Sequence, residues 1–207
     1  DVTIVTTKVS PDYPVPDGAQ AIVADDAFAQ LEDFDVVVRT PPMRPDSIHT
    51  RGKVWTQANE FMALCPAPVI GVTGTKGKGT TCSLIAAILR ASGQRVHLVG
   101  NIGVPPLDLL PSIQPSDVVV FEMSSFQLWD LQKSPQIAVV LMIEPDHLDI
   151  HRDMDEYVGA KANIARFQSE RDTVIYHPTN AFSQQIAELG SGRRVRYANA
   201  DGGGVYV

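Results

Sequence analysis

The residues with the clearest chemical purpose lie between positions 68 and 81, where an apolar run leads into a glycine-rich turn and then an amphipathic segment. Backbone N–H groups of such a turn can point at phosphate oxygens. The helix that follows adds its positive N-terminal end, and a lysine supplies a mobile charge. The segment therefore predicts a binding site for ATP or a related nucleotide, with these candidate contacts: Gly74, Thr75, Lys76, Gly77, Lys78, Gly79, Thr80 and Thr81.

This turn departs from the usual triphosphate-binding pattern at two positions. Val72 stands where the pattern has its first glycine, and Gly79 stands where Ser or Thr would follow the lysine. The alternative is an ordinary glycine-rich turn between a strand and a helix. The repeated glycines, the two lysines and the following threonine pair favour phosphate binding.

Acidic residues and imidazoles follow two further apolar runs. Glu122 ends the run 118–121, at the edge of a parallel sheet where ligands bind, and Mg²⁺ prefers carboxylates together with phosphate oxygens. The alternative is a glutamate that only ends a strand. The segment 144–151 adds acids and two imidazoles, of which His147 is predicted to bind metal or substrate and His151 to lie on the surface.

Lys161 falls on the apolar stripe of the predicted helix 155–168, four residues after Tyr157 and three before Ile164. A lysine in that position either extends its amine to solvent or has a specific role. The residue pattern leaves both alternatives open.

Continuous apolar runs that alternate with helical patterns predict an α/β fold, with a mostly parallel sheet covered by helices on both faces. Prolines on either side of Ala67 place a domain boundary there, giving a small α/β domain at 1–67 and a nucleotide-binding domain at 68–207. Strands are predicted at 2–6, 21–23, 35–38, 68–73, 95–99, 117–121, 137–142 and 173–176. Helices are predicted at 25–32, 54–64, 80–92, 155–168 and 180–189.

Composition narrows the function classes. The 207 residues carry 17 Lys and Arg against 24 Asp and Glu, a net charge of −7 without a basic run, so nucleic acid is a poor partner. No apolar run approaches the length of a membrane span, so no membrane partner is expected. Two isolated cysteines fit a reducing cytoplasm.

The order of these motifs resembles the Mur ligases of peptidoglycan synthesis, most of all the members that add D-glutamate. The resemblance rests on the phosphate-binding turn and on four later strings: Gly100-Asn101-Ile102-Gly103, the residues 121–128, Asp146-His147-Leu148-Asp149 and Ala160-Lys161. The turn alone also resembles folylpolyglutamate synthases.

The resemblance implies an ATP-driven ligase that joins D-glutamate to UDP-N-acetylmuramoyl-L-alanine through an acyl phosphate, in the cell wall synthesis that supports cell shape and division. It implies catalytic roles for Lys78, His147 and Lys161. It also implies two Mg²⁺ sites, one at Thr80 and Glu122 and one at His147, with Lys161 carbamylated beside the metal.

The resemblance also implies a monomer with a Rossmann-like first domain that binds the uridine nucleotide. Thr7, Lys8 and Thr40 would contact uracil or diphosphate, and Asn101, Ser124 and Gln127 the muramoyl-alanine end of the substrate. Because a first strand and a third domain of the family have no counterpart here, the chain alone is expected to bind nucleotide weakly and not to complete ligation. A folylpolyglutamate-type ligase and a non-catalytic nucleotide-binding module remain the alternatives.

Overall fold

The computed structural model describes residues 1–8, 14–29 and 31–197, and it divides into two units, Asp1–Trp55 and Thr56–Val207. The division lies between Trp55 and Thr56, whereas the sequence predicted a boundary near Ala67. Positions 198–207 of the predicted second domain lie outside the described residues.

Helix α1 (Gln57–Leu64) accounts for the position of this division. It buries Phe61 and Met62 in the core of the second unit, where the Phe61 ring meets Phe121 edge-on with ring centroids 5.5 Å apart. The Asn59 side chain donates to the Asp130 carbonyl at 3.0 Å. The helix therefore packs as part of the second unit.

The described residues of the first unit form two short two-stranded sheets. Strand β1 (Thr3–Thr6) pairs in parallel with β2 (Gln20–Val23), and β3 (Val36–Arg39) pairs with β4 (Lys53–Thr56). Two 3-10 turns, Ala27–Ala29 and Pro45–Ser47, lie between strands.

The prediction of a helix at 25–32 is wrong. The described part of that segment forms only the turn Ala27–Ala29, with hydrogen bonds between residues three apart. This single turn already buries Ala27, and Leu31 is buried just after it, so the apolar pattern is satisfied without a longer helix.

The second unit is built on a six-stranded sheet in which every neighbouring pair is parallel, in the order β10-β9-β8-β5-β7-β6. Its strands are β5 (Val69–Thr73), β6 (Val96–Gly100), β7 (Val118–Glu122), β8 (Ile137–Val140), β9 (Thr173–Tyr176) and β10 (Arg193–Arg196). The predicted parallel α/β arrangement is confirmed. The edge strand β10 was missed because three of its four residues are arginines.

Helices cover both faces of this sheet. They are α2 (Lys78–Ala91), α3 (Pro106–Leu109), α4 (Ser125–Leu128), α5 (Met154–Arg166) and α6 (Ala181–Ala187), with a 3-10 turn at Leu110–Ser112. Alternate strand residues enter two cores, so Phe121 packs with Phe61 on one face while Val120 packs with Cys82 of α2 on the other. Within the described residues, none of the helices combines the length and apolarity needed to cross a bilayer.

The strand order brings the predicted chemistry together. Strands β7, β5 and β8 are neighbours, and because they are parallel their carboxyl ends lie at one edge of the sheet. The glycine-rich turn leaves β5 at that edge, Glu122 ends β7 there, and the segment after β8 carries His147.

Candidate active site

The phosphate loop, residues 74–77, joins β5 to α2 and depends on glycine at two positions. Gly74 has φ +150° and Gly77 has φ +81°, backbone angles that strain residues with a side chain. A Cβ at Gly74 would also lie only 2.6 Å from the Cβ of Leu141. The loop thus places exposed backbone at the N-terminus of a fourteen-residue helix, where anions bind.

Lys78, the first residue of α2, folds back over this loop. Its Nζ donates to the Thr75 carbonyl at 2.9 Å and to the Gly74 carbonyl at 3.2 Å. Lys76 and Thr80 are exposed beside it, and Thr81 is half-buried. The lysine amine therefore lies within reach of an anion bound at the helix end.

Thr75 is buried and anchors the phosphate loop to two other segments. Its Oγ1 donates to the Glu144 carbonyl at 3.0 Å and accepts from the Glu144 N–H at 2.9 Å. The Tyr157 hydroxyl lies 3.2 Å from the same oxygen. The threonine hydroxyl thus holds the loop against the segment that follows β8.

The Glu122 carboxylate is 4% exposed, and among the described residues its Oε2 has no hydrogen-bond partner. This oxygen faces the first turn of α2, since a Cβ built on Gly79 would lie 3.3 Å from it. Burial, reinforced by the Glu122 charge, raises the pKa of the Cys82 thiol to about 12. A buried, unpaired carboxylate oxygen is costly, and a bound cation would offset that cost.

Lys161 is 1% exposed, so its amine does not extend to solvent. Nζ donates to the Gly74 carbonyl at 3.0 Å and to the Thr73 Oγ1 at 3.4 Å, and it lies 4.6 Å from the centre of the Tyr157 ring. Burial lowers the pKa of Lys161 to about 7; the nearby charge of Lys78 adds to the shift and Asp146 opposes it. The lysine is a largely desolvated amine in contact with the phosphate loop.

His147 lies in the acidic loop, which we define as residues 144–153, and it has φ +54°. Its imidazole is about half exposed, with Nε2 3.6 Å from the Asp146 Oδ2. Within the described part of the chain, no three His, Cys, Asp or Glu side chains come close enough to hold a metal by themselves. A metal here would need phosphate, hydroxyl or carbamate oxygens in addition.

His151 was predicted to lie on the surface, and that prediction is wrong: the residue is 1% exposed. Its imidazole stacks on Phe126 with ring planes 2° apart, and its Nε2 lies 3.0 Å from the Ser125 Oγ. Sequence reasoning missed the residue because its partners lie on other segments. The available signal was its spacing of four residues from His147.

Residues 72–202 match the Mur ligase middle domain. The chain belongs to the Mur ligase family. Its fold also resembles solved structures of Mur ligases at low sequence identity. One is the UDP-N-acetylmuramate:L-alanyl-gamma-D-glutamyl-meso-diaminopimelate ligase from Neisseria meningitides, with a TM-score of 0.57 and 21% identity, covering 89% of this chain and 68% of that chain.

Two curated relatives carry the name UDP-N-acetylmuramoylalanine--D-glutamate ligase. The relative from Acetivibrio thermocellus is 40% identical over 174 residues, which are 81% of this chain and 37% of the relative. The relative from Clostridium tetani is 37% identical over 187 residues, 87% of this chain and 41% of the relative. The chain thus spans about two fifths of the length of these relatives.

Three residues predicted to bind substrate follow β6 and β7 of this Mur ligase unit. Asn101 is exposed, and its backbone N–H donates to the Glu122 carbonyl at 3.2 Å. Ser124 and Gln127 instead form a capping box at the start of α4, in which Gln127 Oε1 accepts from the Ser124 N–H and hydroxyl. Their polar groups hold the turn that follows Glu122.

The predicted nucleotide contacts of the first unit lie at two strand ends. Thr7 and Lys8 are exposed after β1, and Thr40 is exposed after β3. Thr40 lines a cavity of about 370 Å³ bounded by β1 and β3. The Arg39 guanidinium organises the Thr40 segment by donating to the carbonyls of Thr40, Pro41 and Met43.

Proposed function

We propose that this chain carries the nucleotide-binding part of an ATP-dependent ligase that adds D-glutamate to UDP-N-acetylmuramoyl-L-alanine during peptidoglycan synthesis. The names of the curated relatives support the substrates. The observation that carries the chemistry is the pairing of the glycine loop with the buried Oε2 of Glu122 at one end of α2.

The residues at this end of α2 fit a magnesium-bound triphosphate. Side chains are absent at the two loop glycines and at Gly79, and the Lys78 amine and the helix N-terminus supply positive charge. ATP bound there would supply the phosphoryl group that activates the acceptor carboxylate as an acyl phosphate, while Mg²⁺ would neutralise phosphate charge. Lys78 and the backbone N–H groups orient the phosphates in this arrangement.

Two sets of residues would hold the metal ions. Thr80 and Glu122 would bind one Mg²⁺, and His147 a second, with Lys161 beside it. An amine with a pKa of about 7 has a large neutral fraction at neutral pH, which is the form that reacts with CO₂. The neutral Lys161 nitrogen would form a bond to the CO₂ carbon and release one proton to solvent, which would give a carbamate able to bind Mg²⁺.

The remaining predicted contacts belong to the sugar nucleotide. Asn101, Ser124 and Gln127 would face the muramoyl-alanine end, while Thr7, Lys8 and Thr40 of the Rossmann-like first unit would contact the uridine diphosphate. The protein would act as a monomer in the cytoplasm, where its two cysteines, Cys65 and Cys82, stay reduced.

Phosphate release by the whole protein tests this function. We expect release to require ATP, Mg²⁺, UDP-N-acetylmuramoyl-L-alanine and D-glutamate together. Glu122→Gln, which keeps the shape and removes the charge, should lower the rate about a hundredfold or more. Glu170→Gln changes an exposed acid before β9 and serves as the matched control. Turnover with folate and glutamate instead would assign a folylpolyglutamate-type ligase, and nucleotide binding without turnover would assign a binding module.

A further inference from the structure

His151 stands out in the acidic loop because its side chain contacts both α4 and α5. The fully described loop contains neither helix nor strand, and His147 adopts a left-handed backbone. For a residue with a side chain this conformation costs about 1 kcal/mol or more and persists only when neighbouring contacts enforce it. The contacts that enforce it therefore determine where the His147 imidazole lies.

The first of these contacts is within the loop itself. The His147 carbonyl accepts from the N–H of His151 at 2.9 Å and from that of Ile150 at 3.1 Å, which closes one tight turn. The position of the His151 backbone therefore fixes the His147 backbone. Whatever holds the His151 side chain also holds His147.

The His151 side chain is held by the segment that follows Glu122. Its Nε2 lies 3.0 Å from the Oγ of Ser125, the first residue of α4, and both residues are buried. The imidazole contacts Phe126, with centroids 5.4 Å apart, and Trp129, with centroids 4.3 Å apart, and these two rings also lie beside each other. Because the capping box at Ser124 makes this turn rigid, the contact relates the position of His147 to that of Glu122.

The opposite side of the ring faces α5. The edge of the His151 imidazole meets Tyr157 with centroids 5.3 Å apart, and Nδ1 faces the Glu156 Oε2 at 3.7 Å. Tyr157 in turn contacts the Thr75 hydroxyl of the phosphate loop and lies beside the Lys161 amine. One buried ring thus touches segments that lead to Glu122, to Lys161 and to the phosphate loop.

We propose that His151 is a positioning residue that sets the place of His147 relative to Glu122 and so tunes the binding of magnesium with the nucleotide. The inference rests on the proposed function only in naming magnesium and the nucleotide as the ligands. The geometric part, that His151 holds His147, stands on the contacts above. Outer-shell groups of this kind change metal affinity by about 10- to 100-fold when they are removed.

The test compares His151→Ala with Ile113→Ala, which removes a buried side chain outside this contact set, and with His151→Phe, which keeps an aromatic ring. Binding of a fluorescent ATP analogue is titrated with Mg²⁺, and thermal stability is measured in parallel. For His151→Ala we expect the half-saturating Mg²⁺ concentration to rise about tenfold or more, while analogue binding without Mg²⁺ changes less than about twofold. The phenylalanine variant should recover part of the loss, and Ile113→Ala should lower stability without shifting the Mg²⁺ requirement.

Crystal structures of the unaltered chain and of His151→Ala provide the second readout. We expect the His147 turn to leave its position in the variant while Glu122 stays in place. An unmoved His147, or a Mg²⁺ shift as large in Ile113→Ala, overturns the positioning role. If the unaltered chain binds no ATP analogue at all, the proposed function fails, and the two crystal structures still decide whether His151 positions His147.

Discussion

The phosphate loop and the acidic loop leave neighbouring strands at the same edge of the sheet, but they are held in shape by different means. The phosphate loop takes its internal form from consecutive residues, with left-handed glycines at either end and Lys78 donating to the Gly74 and Thr75 carbonyls, and Lys161 adds one bond from α5. The acidic loop closes one turn of its own at His147 but depends on distant side chains for its position. Ile143, just before it, is fastened by the Asn180 side chain 37 residues away, and His151 is held by Ser125.

The difference separates two ways of building a charged site. A loop whose shape is local can bind an anion wherever a strand and a helix frame it. A loop held by side chains from several elements has its shape only in the folded protein. The position of the His147 imidazole therefore depends on the assembled edge of the sheet. Thr75 joins the two, because its hydroxyl bonds the backbone of Glu144.

Gly74→Ala should have the largest effect, because it breaks the local design of the phosphate loop. The added Cβ meets Leu141 at 2.6 Å in a backbone conformation reserved for glycine. Strain and overpacking together should lower the free energy of unfolding by about 3 kcal/mol. Urea denaturation measures the loss. Gly159→Ala on α5, where a Cβ meets no atom of the described residues within 4 Å, should instead be neutral or stabilise by about 0.5–1 kcal/mol. Equal midpoints for the two variants would contradict this account.

Lys78→Met should weaken ATP binding about a hundredfold, since it removes an amine that is expected to donate two charge-assisted hydrogen bonds of about 1.5 kcal/mol each to the phosphates. Titration with a fluorescent ATP analogue measures the change. Arg171→Met removes an exposed cation just before β9 and controls for net charge. A similar loss of ATP affinity in both variants would show that Lys78 acts only through long-range electrostatics.

The buried Lys161 amine should make stability depend on pH in the metal-free chain. Its pKa is about 7 in the folded state against 10.5 when exposed, so between these values the unfolded chain binds more protons. Stability therefore rises with pH in this window, and the Lys161 contribution should gain about 2 kcal/mol from pH 7 to 9. Urea denaturation in CO₂-free buffer at several pH values, compared with Lys161→Met, isolates this contribution. A variant with the same pH dependence as the unaltered chain would show that Lys161 does not titrate there.

Thr75→Val should have the smallest effect, and it tests whether the two loops depend on each other. The valine keeps the volume but leaves the Glu144 N–H and the Tyr157 hydroxyl without this partner, at a cost of about 1 kcal/mol. Hydrogen exchange should quicken at the Glu144 amide, and Thr75→Ser should restore protection. Unchanged exchange in the valine variant would mean that the acidic loop holds its shape without the phosphate loop.

The features that depend on consecutive residues could be predicted from the sequence. The parallel sheet covered on both faces followed from continuous apolar runs, and the phosphate loop followed from its glycines and lysines. The sequence pattern did not predict three features correctly: the extent of α1, the turn at Ala27–Ala29 and the strand β10. The ends of the helix and of the turn depend on which residues the folded units bury. The strand β10 forms because an edge strand of the sheet tolerates arginine.

The two imidazoles show the same limit of prediction from consecutive residues. Local pattern placed His147 beside acids in a loop at the end of a strand, and the structure puts it at the predicted edge. The same pattern treated His151 as a surface residue, whereas Ser125, Phe126, Trp129 and Tyr157 enclose it.

Sequence by itself determined that this chain folds as a parallel α/β unit with a glycine-rich turn between a strand and a helix, because backbone preference and the spacing of apolar residues can be read over a few neighbouring positions. Only the tertiary structure decided that the Glu122 Oε2 has no hydrogen-bond partner among the described residues, that Lys161 is buried against the phosphate loop and that His151 is buried. Burial and charge at those atoms depend on groups brought together from distant strands and helices.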